Sequence, residues 1–218
     1  MEIDAVGAAE HQMDDQHGDD GAWATRAPRT MTTLMVGKLV RAGAGEQLCR
    51  VRNISATGMM LETPFPLREG DRIAVELRCG QLLEGAIMWT SAGRAGVQFT
   101  APIDVEEVLA TAKGSSPAAR LRRAVPRAPR FHITTTARLV CNSVSHIVLM
   151  ENLSQSGARL RLSNQPDLDR VMTLVIPGLK PRSCSIRWSD GEAAGVAFID
   201  MIPYAELATW LAEVQPAS

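Results

Sequence analysis

Glu151-Asn152-Leu153-Ser154-Gln155-Ser156-Gly157 is the stretch on which the fold is read. Two short polar side chains and a glycine interrupt an apolar alternation, the pattern of a strand turning a corner, because Asn and Ser hydrogen-bond nearby backbone groups. The same pattern stands earlier as Arg52-Asn53-Ile54-Ser55-Ala56-Thr57-Gly58. Both copies read N-x-S-x-x-G, and both lie between strand-like runs.

Working outward, the matches continue on either side. Arg26-Ala27-Pro28-Arg29 returns as Arg127-Ala128-Pro129-Arg130, and Lys38-Leu39-Val40 as Arg138-Leu139-Val140. Ile87-Met88-Trp89 returns as Ile186-Arg187-Trp188, and Ala95-Gly96-Val97-Gln98-Phe99 as Ala194-Gly195-Val196-Ala197-Phe198. The offset stays between 99 and 101 residues throughout. A whole domain has been duplicated, since a solenoid has a shorter period and more copies.

Each copy reads as all-β. Strands are expected at 35–40, 47–51, 59–62, 72–78, 82–90 and 95–99, with turns at Pro64, Pro66, Gly70, Gly80 and Gly93. The second copy repeats the plan at 135–140, 145–151, 158–162, 171–176, 182–188 and 194–198. Six short, closely spaced strands suit a small antiparallel barrel. A helix is expected to close each barrel: Val105, Val108, Leu109 and Ala112 share one helical face, as do Tyr204, Leu207, Leu211 and Val214. Pro102 and Pro203 stand just upstream, where proline tolerates a helix start.

Charge is uneven along the chain. The formal net charge of the 218 residues is −1, which advertises neither a nucleic-acid nor a membrane partner. Residues 1–25 form the expected disordered tail, with Glu2, Asp4, Glu10, Asp14, Asp15, Asp19 and Asp20, and no Lys or Arg. That tail has neither the basic start nor the apolar core of a signal peptide, and no run is long enough to span a membrane. A cytoplasmic protein is expected. The opposite sign gathers between 113 and 130, at Lys113, Arg120, Arg122, Arg123, Arg127 and Arg130. The expected domains are therefore 26–112, a basic linker or arm at 113–130, and 131–218.

Signatures of catalysis are missing. There is no nucleophile elbow, P-loop, H-E-x-x-H or dinucleotide fingerprint, so an enzyme is not expected. Cys49, Cys79, Cys141 and Cys184 form no C-x-x-C pair and have no histidine at ligand spacing. They read as reduced, small hydrophobes, and no metal site is expected. His11, His17, His132 and His146 are scattered. Gly43-Ala44-Gly45 resembles a phosphate loop, but its counterpart Asn142-Ser143-Val144 lacks glycine, and a tight hairpin turn accounts for both. Trp89 and Trp188 are expected to pack in the barrels rather than to form a stacking platform.

The arginines carry the chemistry. A linker serving only solubility has no reason to favour arginine over lysine. Guanidinium groups fit phosphate oxygens and the O6/N7 edge of guanine, and they stack on bases. Arg123-Ala124-Val125-Pro126-Arg127 followed by Asn152-Leu153-Ser154-Gln155-Ser156-Gly157 resembles the signature R-x-x-x-R … [D/N]-x-S-x-x-G of the PilZ domain family, bacterial receptors for cyclic di-GMP. The resemblance covers about 120–214 well and 26–112 more loosely. It implies two tandem six-stranded barrels, each followed by a short helix, with ligand captured between an arginine arm and the barrel surface.

By that resemblance, Arg123 and Arg127 stack on or fork to guanine and neutralise phosphate, Asn152 and Ser154 bond the purine, and Gly157 lets ligand or a turning backbone approach. Arg122 joins the set, with Arg130 and Arg159 as helpers. In the first copy Ala22 stands in place of Arg123, so Arg26, Arg29, Asn53, Ser55 and Gly58 make a degenerate copy. The implied function is a cyclic di-GMP effector acting on a protein partner, with motility, biofilm or cell-cycle output. Binding is expected to order the arm and rearrange the barrels, and a homodimer is compatible with this. A ligand-independent adaptor, and a nucleic-acid or anionic-membrane binder using the basic segment, remain the alternatives.

Overall fold

The computed structural model describes residues 30–112, 128–162 and 171–215. The first unit runs β1 (Thr30–Arg41), β2 (Gln47–Ile54), β3 (Gly58–Glu62), β4 (Arg72–Glu76), a 3-10 turn (Arg78–Gly80), β5 (Leu82–Ser91), β6 (Arg94–Phe99) and α1 (Val105–Ala112). The second runs β7 (Phe131–Cys141), β8 (Val144–Ser154), β9 (Gly157–Leu162), β10 (Met172–Val175), β11 (Arg182–Ser189), β12 (Ala193–Phe198) and α2 (Tyr204–Val214). Each set of six strands closes into an antiparallel barrel, in the order β1-β2-β3-β6-β5-β4 and its counterpart β7-β8-β9-β12-β11-β10. The expected fold of two tandem barrels, each with a trailing helix, is the observed one.

Alternation fills the barrels. In β8, Val148 and Met150 point inward and are buried, and in β2 Cys49 and Val51 do the same. Both strands then carry one extra residue, Glu151 and Arg52, between two paired positions. Such a bulge shifts the alternation by one, so Asn152 and Asn53 lie outside while Leu153 and Ile54 return to the core. A second pair of bulges falls at Arg187 in β11 and Met88 in β5.

These bulges correct one expectation. Alternation from Cys184 and Ile186 would place Trp188 inside, but the extra residue turns the indole outward, where it is 41% exposed. Trp188 lies over Gly195, and Trp89 over Gly96, where an added Cβ would strike the indole. Neither tryptophan belongs to a core cluster.

The hairpin reading of the two β1–β2 and β7–β8 turns holds. Gly43 adopts a φ of +75°, while Asn142 and Ser143 reach +48° and +64° without glycine, the pair of positive values a type I′ turn requires. Burial pushes the Cys49 thiol up to about 12 and that of Cys184 to about 11. With Cys141 they are buried, as a small hydrophobe would be; the Cys79 side chain lies outside the description.

The helices differ in depth. In α2, Leu207, Ala208, Trp210 and Leu211 are buried, and Trp210 Nε1 donates to the Pro177 carbonyl at 2.8 Å. Val214, expected on the apolar face, is 43% exposed, so the buried stripe of the helix ends at Leu211. Among the described side chains of α1 only Val108 is fully buried, with Val105 and Leu109 partly so, and that of Ala112 lies outside the description.

The barrels touch through α2. Tyr204 Oη donates to the carbonyls of Leu48 and Glu62 at 3.5 and 3.3 Å, and the Arg50 guanidinium stacks 3.8 Å from its ring centroid. Leu48, from β2, belongs to the second barrel's core cluster. Among the described residues no helix is long and apolar enough to cross a membrane.

Gly157 has no freedom to grow a side chain, since a Cβ would run into the Val196 carbonyl oxygen. Backbone cannot yield as a flexible side chain does. Gly157→Ala is expected to destabilise the chain by roughly 1–3 kcal/mol, the usual cost of overpacking. Gly43→Ala meets no atom within 4 Å and pays only for its positive φ, about 1 kcal/mol. Urea denaturation of the two variants checks the ranking.

Candidate functional site

The N-x-S-x-x-G corner is the β8–β9 turn. Ser154 pairs with Gly157 across it, and Gln155 and Ser156 make the loop. Ser154 is 2% exposed, and its Oγ donates to the Gly157 carbonyl at 3.0 Å. In the first barrel Ser55 Oγ makes the same bond to Gly58 at 3.1 Å. The serine thus closes the turn. Gly157 answers to the β12 backbone, as Gly58 does to the Val97 carbonyl of β6. The turn is tied down further by the Phe198 N–H on Ser156 and by Gln155, which exchanges bonds with Ile202 ahead of α2.

Asn152 is the corner residue left to face outward. Its partner across β9 is Arg159, whose partner on β12 is Gly195, whose partner on β11 is Trp188. Directly opposed residues share a face of the sheet, so Asn152, Arg159, Gly195 and Trp188 form one row across four strands. On β7 the row begins with His132, opposite Asn152. The bulges at Glu151 and Arg187 align it. The Arg159 guanidinium lies 5.5 Å from the Trp188 ring centroid, within cation–π range.

Acidic and basic groups converge beside the row. Glu151 takes Arg159 Nε at 2.8 Å on one carboxylate oxygen and Arg161 on the other, at 2.8 Å to Nε and 2.5 Å to Nη2. Arg130 Nη1 donates to Asn152 Oδ1 at 3.0 Å, bringing the last arginine of the basic segment onto the corner. This site presents guanidinium groups, an aromatic shelf and a glycine floor, partners for an anionic, planar ligand. Nothing in it is arranged as a nucleophile and base, and among the described residues no cluster of side chains could hold a metal.

The first barrel's row has the same frame and a different chemistry: Asn53, Met60, Gly96 and Trp89. A cavity of about 300 Å³ lies over it, lined by Asn53, Met60, Met88, Trp89 and Gln98 among others. Methionine replaces Arg159 and Arg187. The neighbouring ion pair is kept with its polarity reversed, as Arg52 with Glu62 in place of Glu151 with Arg161. The row is neutral.

Of the residues expected at the site, Arg130, Asn152 and Arg159 are brought together, while Ser154 and Gly157 support the corner from within. Asn53, Ser55 and Gly58 make the equivalent corner. Arg122, Arg123, Arg127, Arg26 and Arg29 lie outside the described residues, as does the 1–25 tail. Glu151 and Trp188 were missed as site residues. The reversed Arg52/Glu62 and Glu151/Arg161 polarity is visible at the repeat offset, but the bulges that turn Trp188 outward are not.

Comparison with known proteins gives a family. Among solved structures, PlzA of Borreliella burgdorferi in complex with c-di-GMP is 14% identical, with a TM-score of 0.35 over 84% of this chain and 93% of that one. The Bacillus subtilis inhibitor of motility MotI/DgrA is 8% identical, with a TM-score of 0.32 over 84% and 96%. Escherichia coli YcgR in complex with c-di-GMP is 10% identical, with a TM-score of 0.29 over 82% and 83%. No curated protein matches the chain. The sequence profile of the PilZ domain matches twice, at residues 25–112 and 122–213, and the chain belongs to the PilZ domain family.

Proposed function

We propose that the protein is a cyclic di-GMP receptor whose ligand sits on the second barrel. The observation that carries this is Arg130 bonded to Asn152 at the head of a row that continues through Arg159 over Trp188. Phosphate needs cations and guanine needs a flat surface with bidentate donors; this row offers both, and among the described residues the equivalent row of the first barrel offers no cation. Arg122, Arg123 and Arg127 enter on the R-x-x-x-R pattern of the sequence, as the groups that complete the ligand's cationic side. Arg26 and Arg29 have only a neutral row to serve. The expected domain division, with 113–130 as the arm, belongs to the same reading, and so does an output through a protein partner.

A second reading has support in the first barrel. Met60, the half-exposed Met88 and the Trp89 indole present soft, uncharged surface, which suits an adaptor contact with a protein.

Isothermal titration of the full chain with cyclic di-GMP tests the receptor reading, with binding expected and its absence favouring the adaptor. Arg127→Ala is expected to lower affinity a hundredfold or more, since each charge-assisted hydrogen bond is worth about 1.5–3 kcal/mol and two are at stake. Arg26→Ala is expected to change it little, and equal losses would place the site across both copies.

Arg159→Met, which gives the second barrel the first barrel's residue, is expected to weaken binding about tenfold, as loss of one such bond implies. Unchanged affinity would remove Arg159 from the site.

Cyclic di-AMP is expected to bind far more weakly than cyclic di-GMP, because adenine offers an N6 donor where guanine offers the O6 acceptor. Equal affinities in competition titrations would reduce the site to a phosphate trap.

A further inference from the structure

The first barrel reaches the root of the arginine segment through one carboxylate. Glu46, at the end of the β1–β2 turn, accepts the His132 main-chain N–H at 2.6 Å and lies 3.0 Å from His132 Nδ1. The same carboxylate holds Lys38 Nζ at 2.9 Å, and Glu76 holds that ammonium at 2.8 Å from its other side. Burial works against the Lys38 charge, but Glu76 and Glu46 together outweigh it and raise its pKa. Burial also opposes the Glu46 carboxylate; the His132 backbone, the His132 ring and Lys38 outweigh that and hold it below the usual range. Glu46 is therefore an anion at neutral pH.

Gln215, just past α2, closes on the same residue. Its carbonyl accepts Gln47 Nε2 at 3.0 Å, and its own Nε2 donates to the His132 carbonyl at 3.4 Å. Gly45 leaves room for it, since an added Cβ would strike the Gln215 side chain. His132 is thus held at its N–H by the first barrel and at its C=O by the end of the second unit.

The position of His132 gives these contacts their meaning. It stands opposite Asn152, two residues after Arg130, and the β7–β8 ladder is irregular between His132 and Thr135. A bulge interrupts ladder bonding locally, so this end of β7 depends on outside support. Glu46 supplies it at the β7 end of the site row.

We propose that Glu46 is a positioning residue for the ligand of the second barrel, acting through His132 to fix where Arg130 meets Asn152. The inference rests on the receptor reading above. It gives the first barrel, with its neutral row, a share in the second barrel's binding. Linkage makes the effect mutual: if the Glu46–His132 contact favours the ligand, the ligand strengthens that contact by the same factor.

Isothermal titration of full-length variants with cyclic di-GMP tests it. Glu46→Ala is expected to lower affinity about tenfold, and Glu46→Gln, which keeps an acceptor for the His132 N–H, by less. Glu76→Gln strips Lys38 of its other carboxylate without touching β7, and its affinity is expected to equal that of the unaltered chain. Ligand is expected to slow hydrogen exchange at the His132 amide in the unaltered chain and not in Glu46→Ala. Equal affinity of Glu46→Ala and the unaltered chain overturns the proposal and leaves the receptor reading intact. A loss in Glu76→Gln matching that in Glu46→Ala overturns it too, because the effect would then run through Lys38 and the stability of the first barrel. Should Glu46→Ala fail to fold, Glu46→Gln carries the test against Glu76→Gln with the same readings. No binding by the unaltered chain overturns both readings together.

Discussion

One inserted residue in β8 and another in β11 decide what the outside of the second barrel presents. Were Glu151 an ordinary strand residue instead of a bulge, the alternation that buries Val148 and Met150 would carry Asn152 inward and force Leu153 out into water. Were Arg187 in regular alternation too, the indole of Trp188 would compete with core side chains for space. With both in place, Asn152, Arg159, Gly195 and Trp188 fall on one line across four strands. Glycine at 195 is part of the same constraint, since the indole rests on its Cα. The interior then needs only to be a well-filled barrel.

The duplication works as an internal control on that surface. Corner, bulges, glycine floor and tryptophan are common to both barrels, so they serve the fold whether or not anything binds. What differs is charge. Met60 and Met88 stand where Arg159 and Arg187 stand, and the cross-strand ion pair beside the row has exchanged its ends. A feature present in both copies is a poor guide to ligand chemistry, and one present in a single copy is a good one. By that criterion Ser154 and Gly157 belong with the scaffold: the hydroxyl closes its turn and the missing Cβ admits a neighbouring backbone carbonyl.

Much of this was legible in the sequence because it rests on local pattern. The near-constant repeat offset located the duplicated unit, alternation located the strands, and the polar corner located the turn that anchors the site. Arg130 and Arg159 were expected as helpers, and among the described residues they are arginines that meet the corner and its row. What escaped the sequence depended on register. A bulge costs one residue of alternation and leaves little mark in composition, so Trp188 was expected inside. The Glu46–His132 contact joins residues far apart in the chain through barrel packing, and no periodicity signals such a pairing. Val214 was placed on an apolar face by helical spacing alone, which cannot say where along a helix burial stops.

Tyr204 and Leu48 bear on how the chain comes apart. The first barrel lends a leucine to the core of the second, and the helix of the second caps two carbonyls of the first. Neither unit, cut free, would keep its surface: one would expose Leu48, and the other would leave Tyr204 and the end of α2 without their bonds. The repeats look separable in sequence but are not modular in energy. Loosening one is expected to loosen the other, so that the two share in each other's stability.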